Sequence, residues 1–427
     1  MEAPQRTRQL NRDRSGTDVQ VPRGAKQVVI PMSEQEYQQC WHDAWLMREL
    51  IDRTLAEHPE LFPPAMGAGY ALHGFGRASQ KLDGIRLRKV RLRDGSAFHL
   101  RPSFVMPYMA GTADELEFPL LLASFGVPCW VLTLGFGHSD MFWQRQLERL
   151  GRNSLVGTTV RDPARLPQHL AADEHHIDWV GQKGYVATVA AEGCLLGLAL
   201  TKAADEEHLA EAYGVFAAEA RDVKPGYTPQ TVNTDGWAAT QNAFARLFPG
   251  ICVILCFLHG FLKIRDRCRK EHDLHRRVWE IYRAATAADF RQRMESFRDW
   301  WRQQTWTGRV REVLEKLSAR VDDYAAAYEH PGCLRTSNAV DRPMNRLYRL
   351  AYAGRGLHGH QMHSERRLRG WALLLNFRPY ARRSGQERQH QSPAHRLNGK
   401  RYHPSWLQNL LVSASLNGHH QPAPAIR

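Results

Sequence analysis

Between His169 and Phe257 the sequence alternates between strand-like and helix-like segments, and this alternation limits the possible folds more than any other feature. Tyr185 to Ala191 and Cys194 to Thr201 are apolar and strand-like, and Glu192-Gly193 between them is typical of a turn. Apolar residues then recur from Asp205 to Val223 at the spacing of one helix face. After that helix we predict a strand, a helix and a buried strand, in Thr231 to Asn233, Ala238 to Leu247 and Ile251 to Phe257.

Together with a short apolar run that ends at Asp173, these elements have the order β-β-β-α-β-α-β, which is the order of the RNase H-like fold. We therefore expect an α/β protein with an RNase H-like mixed sheet, whose first part occupies residues 161–262. Arg-rich helical stretches follow and predict an all-helical insertion over 263–330. The final helices of the core are expected over 331–378.

The regions on either side of this core have a different texture. Residues 1–28 are polar and basic without periodicity, which predicts a flexible arm. We expect a helix and a basic β-hairpin in 29–110, and a helical DNA-binding region in 111–160. Residues 379–427 are rich in His, Arg, Pro and Gly around one amphipathic segment, Trp406 to Ser413, and predict a basic, partly ordered tail.

The charge of the chain indicates a polyanionic partner. Its 58 Lys and Arg residues against 44 Asp and Glu give a net charge of +14. Such a surplus can draw a protein to nucleic acid through neutralisation of phosphates, although it carries no sequence specificity. A basic protein that binds no polyanion also fits the charge alone.

Cysteine usage and hydropathy bear on the compartment. The seven cysteines form no CxxC pair, which fits a reducing cytoplasm and argues against a zinc ribbon or a disulfide framework. The first thirty residues are polar and basic, so we expect no secretory signal. No apolar stretch approaches the roughly 18 residues needed to cross a bilayer, so we expect no membrane role.

Two basic segments are candidates for DNA contact. Leu87 to Leu100 alternates apolar and basic residues around Asp94-Gly95, a strong hairpin pattern, and we expect a bulge at Lys89. One face of that hairpin would present four arginines: Arg86, Arg88, Arg91 and Arg93. A solvated sheet face that discourages edge-to-edge pairing explains them equally well.

The second basic segment contains three short helices divided by Gly-containing turns, a pattern that fits a helix-turn-helix. The last of them, Ser139 to Leu150, begins at a serine cap. Its polar residues Gln144, Arg145 and Arg149 are those that would reach into the major groove. A three-helix packet that binds nothing has the same pattern.

Two aspartates are the first candidates for chemistry. Asp173 ends the first predicted strand and Asp235 ends the fourth, and these strands are neighbours in the predicted sheet. Two carboxylates brought together need a cation between them, and oxygen ligands suit Mg²⁺, or Mn²⁺, rather than zinc. A paired site holds two ions about 3.5 to 4 Å apart, one activating water and the other stabilising the leaving oxygen of a phosphodiester. Taken singly, each aspartate could also be a turn residue.

A family resemblance supplies the context. Asp235-Gly, an apolar helix, Leu-Phe-Pro-Gly and then Cys256-Phe-Leu-His259 resembles the Cys-x-x-His motif of DDE transposases with a helical insertion, the Mutator-like group and its bacterial relatives. Farther on, Thr336-Ser-Asn-Ala-Val-Asp341 resembles the Thr-Thr-Asn-x-x-Glu stretch that opens the last helix of those cores. The resemblance covers about residues 169 to 378 and rests on the order and spacing of several motifs.

The resemblance implies that Asp173, Asp235 and Asp341 are the catalytic metal ligands, with Cys256, His259 and Asn338 close to the site. The implied reaction is Mg²⁺-dependent hydrolysis at an element's end, followed by attack of the free 3′ hydroxyl on target DNA. The implied partners are double-stranded DNA, as terminal inverted repeats and target, and further copies of the chain in a dimer or larger assembly. A bacterial, nucleoid-associated protein is expected.

The chain departs from the family pattern at the third acid. Asp341 stands where Glu is usual, and Pro343 fits poorly inside a helix that begins at Ser337. If the helix begins near Pro343 instead, Asp341 is only its cap. Glu365 and Glu329 are reserve candidates for the third ligand, and Asp178 is the reserve for Asp173.

Two other functions remain open. A catalytically inactive, transposase-derived DNA-binding protein would fit the aspartate at the third position. An RNase H-like nuclease for hybrids or junctions would fit the carboxylates but leaves the helix-turn-helix and Cys-x-x-His features unexplained. Trp300, Trp301 and Trp306 of the insertion could stack on unpaired bases, although helix core is the more common role of such residues.

Overall fold

Two β-sheets and the helices around them make up residues 26–353, 356–381 and 391–420, the part of the chain that the computed structural model describes. The strands are β1 (Gln27–Ile30), β2 (Tyr70–Phe75), β3 (Arg88–Leu92), β4 (Ala97–Pro102), β5 (His169–Trp179), β6 (Gln182–Ala191), β7 (Cys194–Thr201), β8 (Thr231–Thr234) and β9 (Cys252–Leu255). The helices are α1 (Glu34–Cys40), α2 (Ala44–Glu57), α3 (Ala113–Ser124), α4 (Cys129–Phe136), α5 (Asp140–Leu150), α6 (Leu155–Thr159), α7 (Glu206–Val223), α8 (Ala238–Leu247), α9 (Phe257–Arg267), α10 (His272–Tyr282), α11 (Ala287–Arg302), α12 (Gly308–Ala319), α13 (Val321–Ala325), α14 (Asn338–Ala353), α15 (Gln361–Phe377), α16 (Pro393–Asn398) and α17 (Trp406–Ser413). The protein therefore belongs to the mixed α/β class, as the sequence predicts.

The five-stranded sheet has the strand order β7-β6-β5-β8-β9. Strand β6 pairs antiparallel with β5 and with β7, whereas β8 pairs parallel with β5 and β9 pairs parallel with β8. The succession of strands and helices from β5 to β9 is the one predicted. The β6–β7 turn also forms as predicted, with positive φ angles at both Glu192 (52°) and Gly193 (77°), which is the backbone of a tight two-residue hairpin.

Helices cover both faces of this sheet. Leu170 and Ala172 of β5 pack with α7 and α8, whereas Ala171 and Ile177 pack with α14 and α15. Successive side chains of a strand point to opposite faces. Asp173 therefore faces the side of α14, and the following acidic residue of β5 faces the side of α7 and α8.

The predicted strand from Ile251 to Phe257 is shorter than expected. Strand β9 ends at Leu255, and α9 begins at Phe257, so His259 lies in the first turn of a helix rather than at a strand end. The segment predicted to be an all-helical insertion, called the insertion below, is mainly helical and contains α9 to α13 followed by a short 3₁₀ turn, Ala326–Tyr328. Its first helix begins six residues before the predicted boundary at 263 (263 minus 257).

The tryptophans of the insertion are mainly part of its core, which favours the more common of the two roles considered. Trp301 is buried, and Trp300 and Trp306 are partly buried beside it. The Trp306 indole N–H donates to the carbonyl oxygen of Trp301, and the Arg277 guanidinium lies over the Trp300 ring. Cationic and carbonyl partners inside the protein thus occupy much of this aromatic surface.

A second sheet, of order β1-β4-β3-β2, carries the basic hairpin. The turn at Asp94-Gly95 forms as predicted. The bulge expected at Lys89 is wrong: β3 and β4 pair in continuous register through Lys89 and His99. The irregularity lies instead between β2 and β3, at Leu72 to Phe75. The predicted arm, 1–28, extends too far, because β1 begins at Gln27; residues 1–25 lie outside the described residues.

The prediction of a partly ordered tail over 379–427 is wrong for the residues that the structure describes there. All eight residues of α17 are buried. Leu407, Leu410 and Leu411 pack in the core beneath the five-stranded sheet, and Val412 packs in the core of the N-terminal sheet. Helix α17 therefore joins the two sheets. Residues 382–390 and 421–427 lie outside the described residues.

Hydrogen bonds fix the end of this segment to the N-terminal sheet. The Ser415 hydroxyl accepts a hydrogen bond from the Val29 N–H at 3.1 Å and donates one to the carbonyl oxygen of Leu61 at 2.6 Å. All three groups are buried, so these bonds satisfy polar atoms that water cannot reach. The C-terminal segment is consequently part of the folded body.

Candidate functional site

The two aspartates singled out in the sequence lie side by side where β8 ends in the five-stranded sheet, a place called the acidic edge below. Strands β5 and β8 are parallel and pair from His169 with Thr231 to Ala171 with Asn233. Two residues beyond that last pair, the two strands reach Asp173 and Asp235. Asp235 follows the end of β8, but the prediction that Asp173 ends its strand is wrong, because β5 continues to Trp179 in its pairing with β6. Carboxylate oxygens of Asp173, Glu174 and Asp235 all lie within 4.8 Å of one another. The pairing of β5 with β8 thus brings together two residues that are 62 positions apart in sequence (235 minus 173).

Glu174 is a member of this cluster that the sequence analysis missed. It follows Asp173 on β5 and points toward α7 and α8, where its carboxylate accepts hydrogen bonds from the Tyr213 hydroxyl at 2.5 Å and from the Thr240 hydroxyl. Burial raises its pKa above the ordinary value, and these two hydrogen bonds offset part of the rise. One of its oxygens is thereby held by the protein itself.

Burial and neighbouring negative charge dominate the electrostatics around Asp173. Burial, followed by the neighbouring carboxylates of Asp235, Glu174 and Asp341, raises the pKa of Asp173 to about 7. The Glu174 N–H, which donates to the Asp173 carboxylate at 2.9 Å, opposes this rise. Ionisation of the Asp173 carboxyl at neutral pH therefore costs free energy, and a bound cation would offset that cost.

This arrangement predicts how stability depends on pH when divalent ions are chelated. The folded-state pKa of Asp173, about 7, lies above its ordinary value of 3.8, so the folded chain keeps a proton that the unfolded chain has lost. The resulting stability is fully present below pH 4 and disappears as the pH rises toward 7. We expect Asp173→Asn to melt a few degrees higher than the wild type at pH 8 in EDTA, and the difference to shrink at pH 5.

Thermal melting followed by circular dichroism measures this difference. Asp299→Asn is the matched control, because Asp299 is exposed on α11 and has no hydrogen-bond or ion-pair partner among the described residues. It should follow the wild type at every pH. Parallel curves for the wild type and Asp173→Asn would contradict the expectation.

Asp341 lies in the first turn of α14, the helix that packs on β5 and β6. The idea that the helix begins near Pro343 and that Asp341 is only its cap is wrong, because α14 begins at Asn338 and includes Pro343. The Ser337 hydroxyl donates to the Asp341 carboxylate at 2.7 Å. Its negative charge acts on Asp173, whose pKa it helps to raise, but its oxygens are outside the 4.8 Å cluster.

Cys256 and His259 flank the same edge. The buried Cys256 sulfur accepts a hydrogen bond from the Ser337 N–H at 3.2 Å and lies 3.4 Å from the Ser337 hydroxyl, so it contacts the residue that holds Asp341. Burial opposes ionisation of Cys256, but His259 and Ser337 outweigh it and lower its pKa. The Cys256 side chain, ahead of the charges of Asp341 and Asp235, raises the pKa of His259 to about 9. His259 is therefore a cation beside the acidic cluster at neutral pH.

Asn338, the other residue expected near the site, is the first residue of α14. It lines a cavity of about 530 Å³ with Arg342, Arg346 and Arg378. That cavity shares no lining residue with the one that Asp235 borders. Asn338 is close to Asp341 along the chain, but its side chain belongs to a different surface.

The cavity that Asp235 borders has a volume of about 470 Å³ and lies between the acidic cluster and the insertion. Cys256, His259 and Gly260 at the start of α9 form one side. Four cationic side chains of the insertion also line it: Lys263, Arg267, Lys316 and Arg320. The acidic edge of the sheet thus continues directly into a basic cavity.

The basic hairpin only partly fits the DNA-contact prediction. Arg88 is buried, 5% exposed, and its Nη1 donates to the carbonyl oxygen of Trp41 at 2.6 Å while the guanidinium lies over the Phe75 ring. It is a structural residue, so its assignment as a DNA contact is wrong. Arg86, Arg91 and Arg93 are exposed.

Helix α5, the predicted groove-reading helix, begins as expected with Ser139, whose hydroxyl accepts from the Phe142 N–H. Its three candidate residues differ in exposure. Arg145 is exposed, whereas Gln144 is partly buried and accepts from Arg367 of α15 at 3.4 Å. Arg149 is partly buried, with its guanidinium 5.5 Å from the centroid of the exposed Tyr108 ring.

The reserve residues have other roles. Asp178 accepts a hydrogen bond from the Gly181 N–H in the turn after β5, and Glu365 accepts one from the Leu200 N–H. Glu329 pairs with Arg291 in the insertion. Since each of these carboxylates has a structural partner away from the cluster, the geometry gives none of them preference over Asp173 or Asp341.

No model of a protein family matches the chain, and no curated protein sequence matches it either. Within the described ranges, no helix is both long enough and apolar enough to span a lipid bilayer.

Proposed function

We propose that the chain is a DNA transposase with an RNase H-like core, which hydrolyses phosphodiester bonds at the ends of its own element and transfers the free 3′ hydroxyl to target DNA. The observation that carries the proposal is the convergence of the Asp173 and Asp235 carboxylates on two neighbouring parallel strands, at the point where β8 ends beside the middle of β5. A sheet of three antiparallel strands extended by two parallel ones supports the RNase H-like assignment. The order of the Cys256-x-x-His259 and Asp341 motifs supports the transposase class.

The donor set fits a hard divalent cation. The cluster offers carboxylate oxygens and neither thiolate nor imidazole at its centre, which suits Mg²⁺ or Mn²⁺ rather than zinc. Asp173 and Asp235 would hold the metal from the sheet, and Asp341 from α14. Two ions bound there would activate water and stabilise the leaving oxygen. The raised pKa of Asp173 agrees with a site designed to contain positive charge.

The other residues of the edge position the reacting groups. Tyr213 and Thr240 hold Glu174 against α7 and α8, which fixes the β5 backbone at Asp173. Ser337, itself in contact with Cys256, orients the Asp341 carboxylate. His259, protonated at neutral pH, can donate to an oxygen of the scissile phosphate. None of these roles requires a covalent intermediate with the protein.

The proposed substrate is double-stranded DNA, with the element's terminal repeats held by exposed basic residues such as Arg91, Arg93 and Arg145. A reaction that joins two ends needs at least two copies of the chain in one complex. The nucleoid of a bacterial cell is the site of action that goes with this substrate. The seven cysteines, all free, agree with such a reducing compartment.

One observation favours a second candidate, a DNA-binding protein that descends from a transposase and no longer cleaves. Asp341 is a methylene shorter than the Glu usual at that position, and its oxygens lie outside the 4.8 Å cluster. If the metals need three convergent acids, this shortfall would remove the chemistry and leave the binding. The two candidates therefore differ in cleavage and not in affinity for DNA.

Purified protein distinguishes them when it is incubated with a duplex that carries the DNA flanking its reading frame. We expect strand nicking that requires Mg²⁺ and is lost in Asp235→Ala, while the variant still binds the duplex. Tight binding without nicking by the wild type would support the inactive protein. Cleavage of an RNA–DNA hybrid in preference to this duplex would contradict both and indicate a hybrid nuclease.

A further inference from the structure

Cations of the insertion form two stripes that face the cavity beside Asp235. On α9, His259, Lys263 and Arg267 follow one another at intervals of four residues, so they lie on one face of the helix about 6 Å apart. On α12 and just after it, Lys316 and Arg320 have the same spacing. Because α9 and α12 pack against each other, both stripes line the same cavity.

Two of the three cations in the α9 stripe make no direct ion pair with any described residue. Lys263 and Arg267 are exposed, and neither has a side-chain hydrogen bond or an ion pair within the described part of the chain. Lys316 pairs with Glu312 at 2.6 Å and Arg320 with Asp323 at 2.9 Å, both at surface positions. Exposed pairs of this kind contribute little and exchange readily for another anion.

The cavity is joined to the acidic cluster by the turn that carries Asp235. Gly236 in that turn has a φ of +97°, and a Cβ atom there would lie 3.3 Å from Nη1 of Arg320. The guanidinium therefore lies directly against the backbone next to Asp235. Among the residues that line the cavity, Asp235 is the single carboxylate. An anion in the cavity would consequently meet cations on two sides and the candidate metal site at its end.

We propose that the cavity between α9 and α12 binds the sugar–phosphate backbone of one strand of the substrate, next to the phosphodiester that is cleaved. This inference rests on the proposed function, since it takes Asp235 as part of the cleavage site. A volume of about 470 Å³ is in the range of small-ligand sites and accommodates a short stretch of a single strand rather than a duplex. Lys263 and Arg267 provide the two phosphate contacts, and the helical insertion becomes part of the substrate-binding surface.

Salt dependence of binding to a short single-stranded DNA of mixed sequence tests the inference. Each phosphate neutralised on a single strand contributes about 0.7 to the slope of log K against log salt concentration. In Lys263→Gln/Arg267→Gln we expect the slope to fall by about 1.4, which means roughly 25-fold weaker binding near 0.1 M salt if the two lines meet near 1 M. The measurement is made in EDTA, so it does not depend on metal or on cleavage.

The matched control is Lys224→Gln/Arg311→Gln, which also removes one lysine and one arginine. Lys224 is exposed at the end of α7 and Arg311 is exposed on α12, and neither lines the cavity. It should keep the wild-type slope. Equal slopes for the two double variants would overturn the inference. Mg²⁺-dependent nicking by the same wild-type preparation is scored separately. If the wild type nicks DNA but the two double variants have equal slopes, only the proposal about the cavity fails. If the slope falls in Lys263→Gln/Arg267→Gln but the wild type does not nick DNA, only the proposed cleavage function fails.

Discussion

Asp341→Asn should lower the rate of Mg²⁺-dependent strand cleavage by about 10³-fold, whereas Glu174→Gln should lower it only about tenfold, because the two acids are held differently. Glu174 already accepts hydrogen bonds from Tyr213 and Thr240, and an amide keeps that acceptor. Asp341 faces the site from α14, and the Ser337 hydroxyl occupies one of its oxygens. The other oxygen is available, and its charge is what an amide removes.

Initial rates of duplex nicking in Mg²⁺ measure this difference, and Mn²⁺ binding followed by electron paramagnetic resonance measures it independently of turnover. Asp341→Glu keeps the charge and restores the longer side chain, so it should retain cleavage. Glu365→Gln is the control, since Glu365 bonds to the Leu200 N–H away from the cluster and should leave the rate unchanged. A 10³-fold loss in Glu174→Gln with a normal rate in Asp341→Asn would instead make the 4.8 Å cluster the complete ligand set.

Convergence of Asp173 and Asp235 could be predicted from the sequence because it depends on sheet topology alone. The parallel register of β5 and β8 places residues two positions beyond the Ala171–Asn233 pair next to each other, although β5 continues past Asp173. Glu174 could not be found in the same way. Strand alternation places it on the opposite face, and it joins the cluster because Tyr213 and Thr240, on two different helices, hold its side chain. That is a tertiary effect.

Charge alone does not predict the position of Arg88, because the side chain is cationic but buried. Arg88, Val90 and Leu92 alternate with more exposed residues along β3, which is the period of a strand with one buried face. The expected bulge at Lys89 would have turned Arg88 outward, and the regular pairing of β3 with β4 does not allow it. What the sequence cannot show is that the Trp41 carbonyl oxygen and the Phe75 ring are available to receive a buried guanidinium.

Polar composition likewise does not predict the position of the C-terminal segment. Gln408 and Asn409 make α17 look half polar, yet both are buried. The Gln408 side chain accepts from the Ser103 hydroxyl at 2.7 Å, and that of Asn409 accepts from the Tyr402 N–H at 2.9 Å. Buried polar groups are tolerated when they are paired, and the partner of Gln408 lies 305 positions away in sequence. Local composition therefore predicts a tail where long-range pairing makes a core helix.

Gly370→Ala should destabilise the folded protein by about 3 kcal/mol or more, because α5 and α15 meet backbone to backbone at this residue. A Cβ atom at 370 would lie 2.0 Å from the carbonyl oxygen of Leu147, and one at Gly151 would lie 1.8 Å from that of Arg366. Backbone atoms cannot rotate away as a side chain can, so the helices must separate. They pack in the same core as Val340 and Met344 of α14, and a separation would also disturb the helix that carries Asp341.

Gly214→Ala is the matched control, since it makes the same change inside helix α7 with the opposite expected sign. The nearest atom to a Cβ there is Cδ2 of Leu247 at 3.9 Å, an ordinary contact. Alanine should then stabilise the helix by roughly 0.5–1 kcal/mol through its lower backbone entropy cost. Urea unfolding followed by circular dichroism should place the midpoint of Gly370→Ala below the wild type and that of Gly214→Ala above it. Equal midpoints for Gly370→Ala and the wild type would mean that the two helices are not in backbone contact.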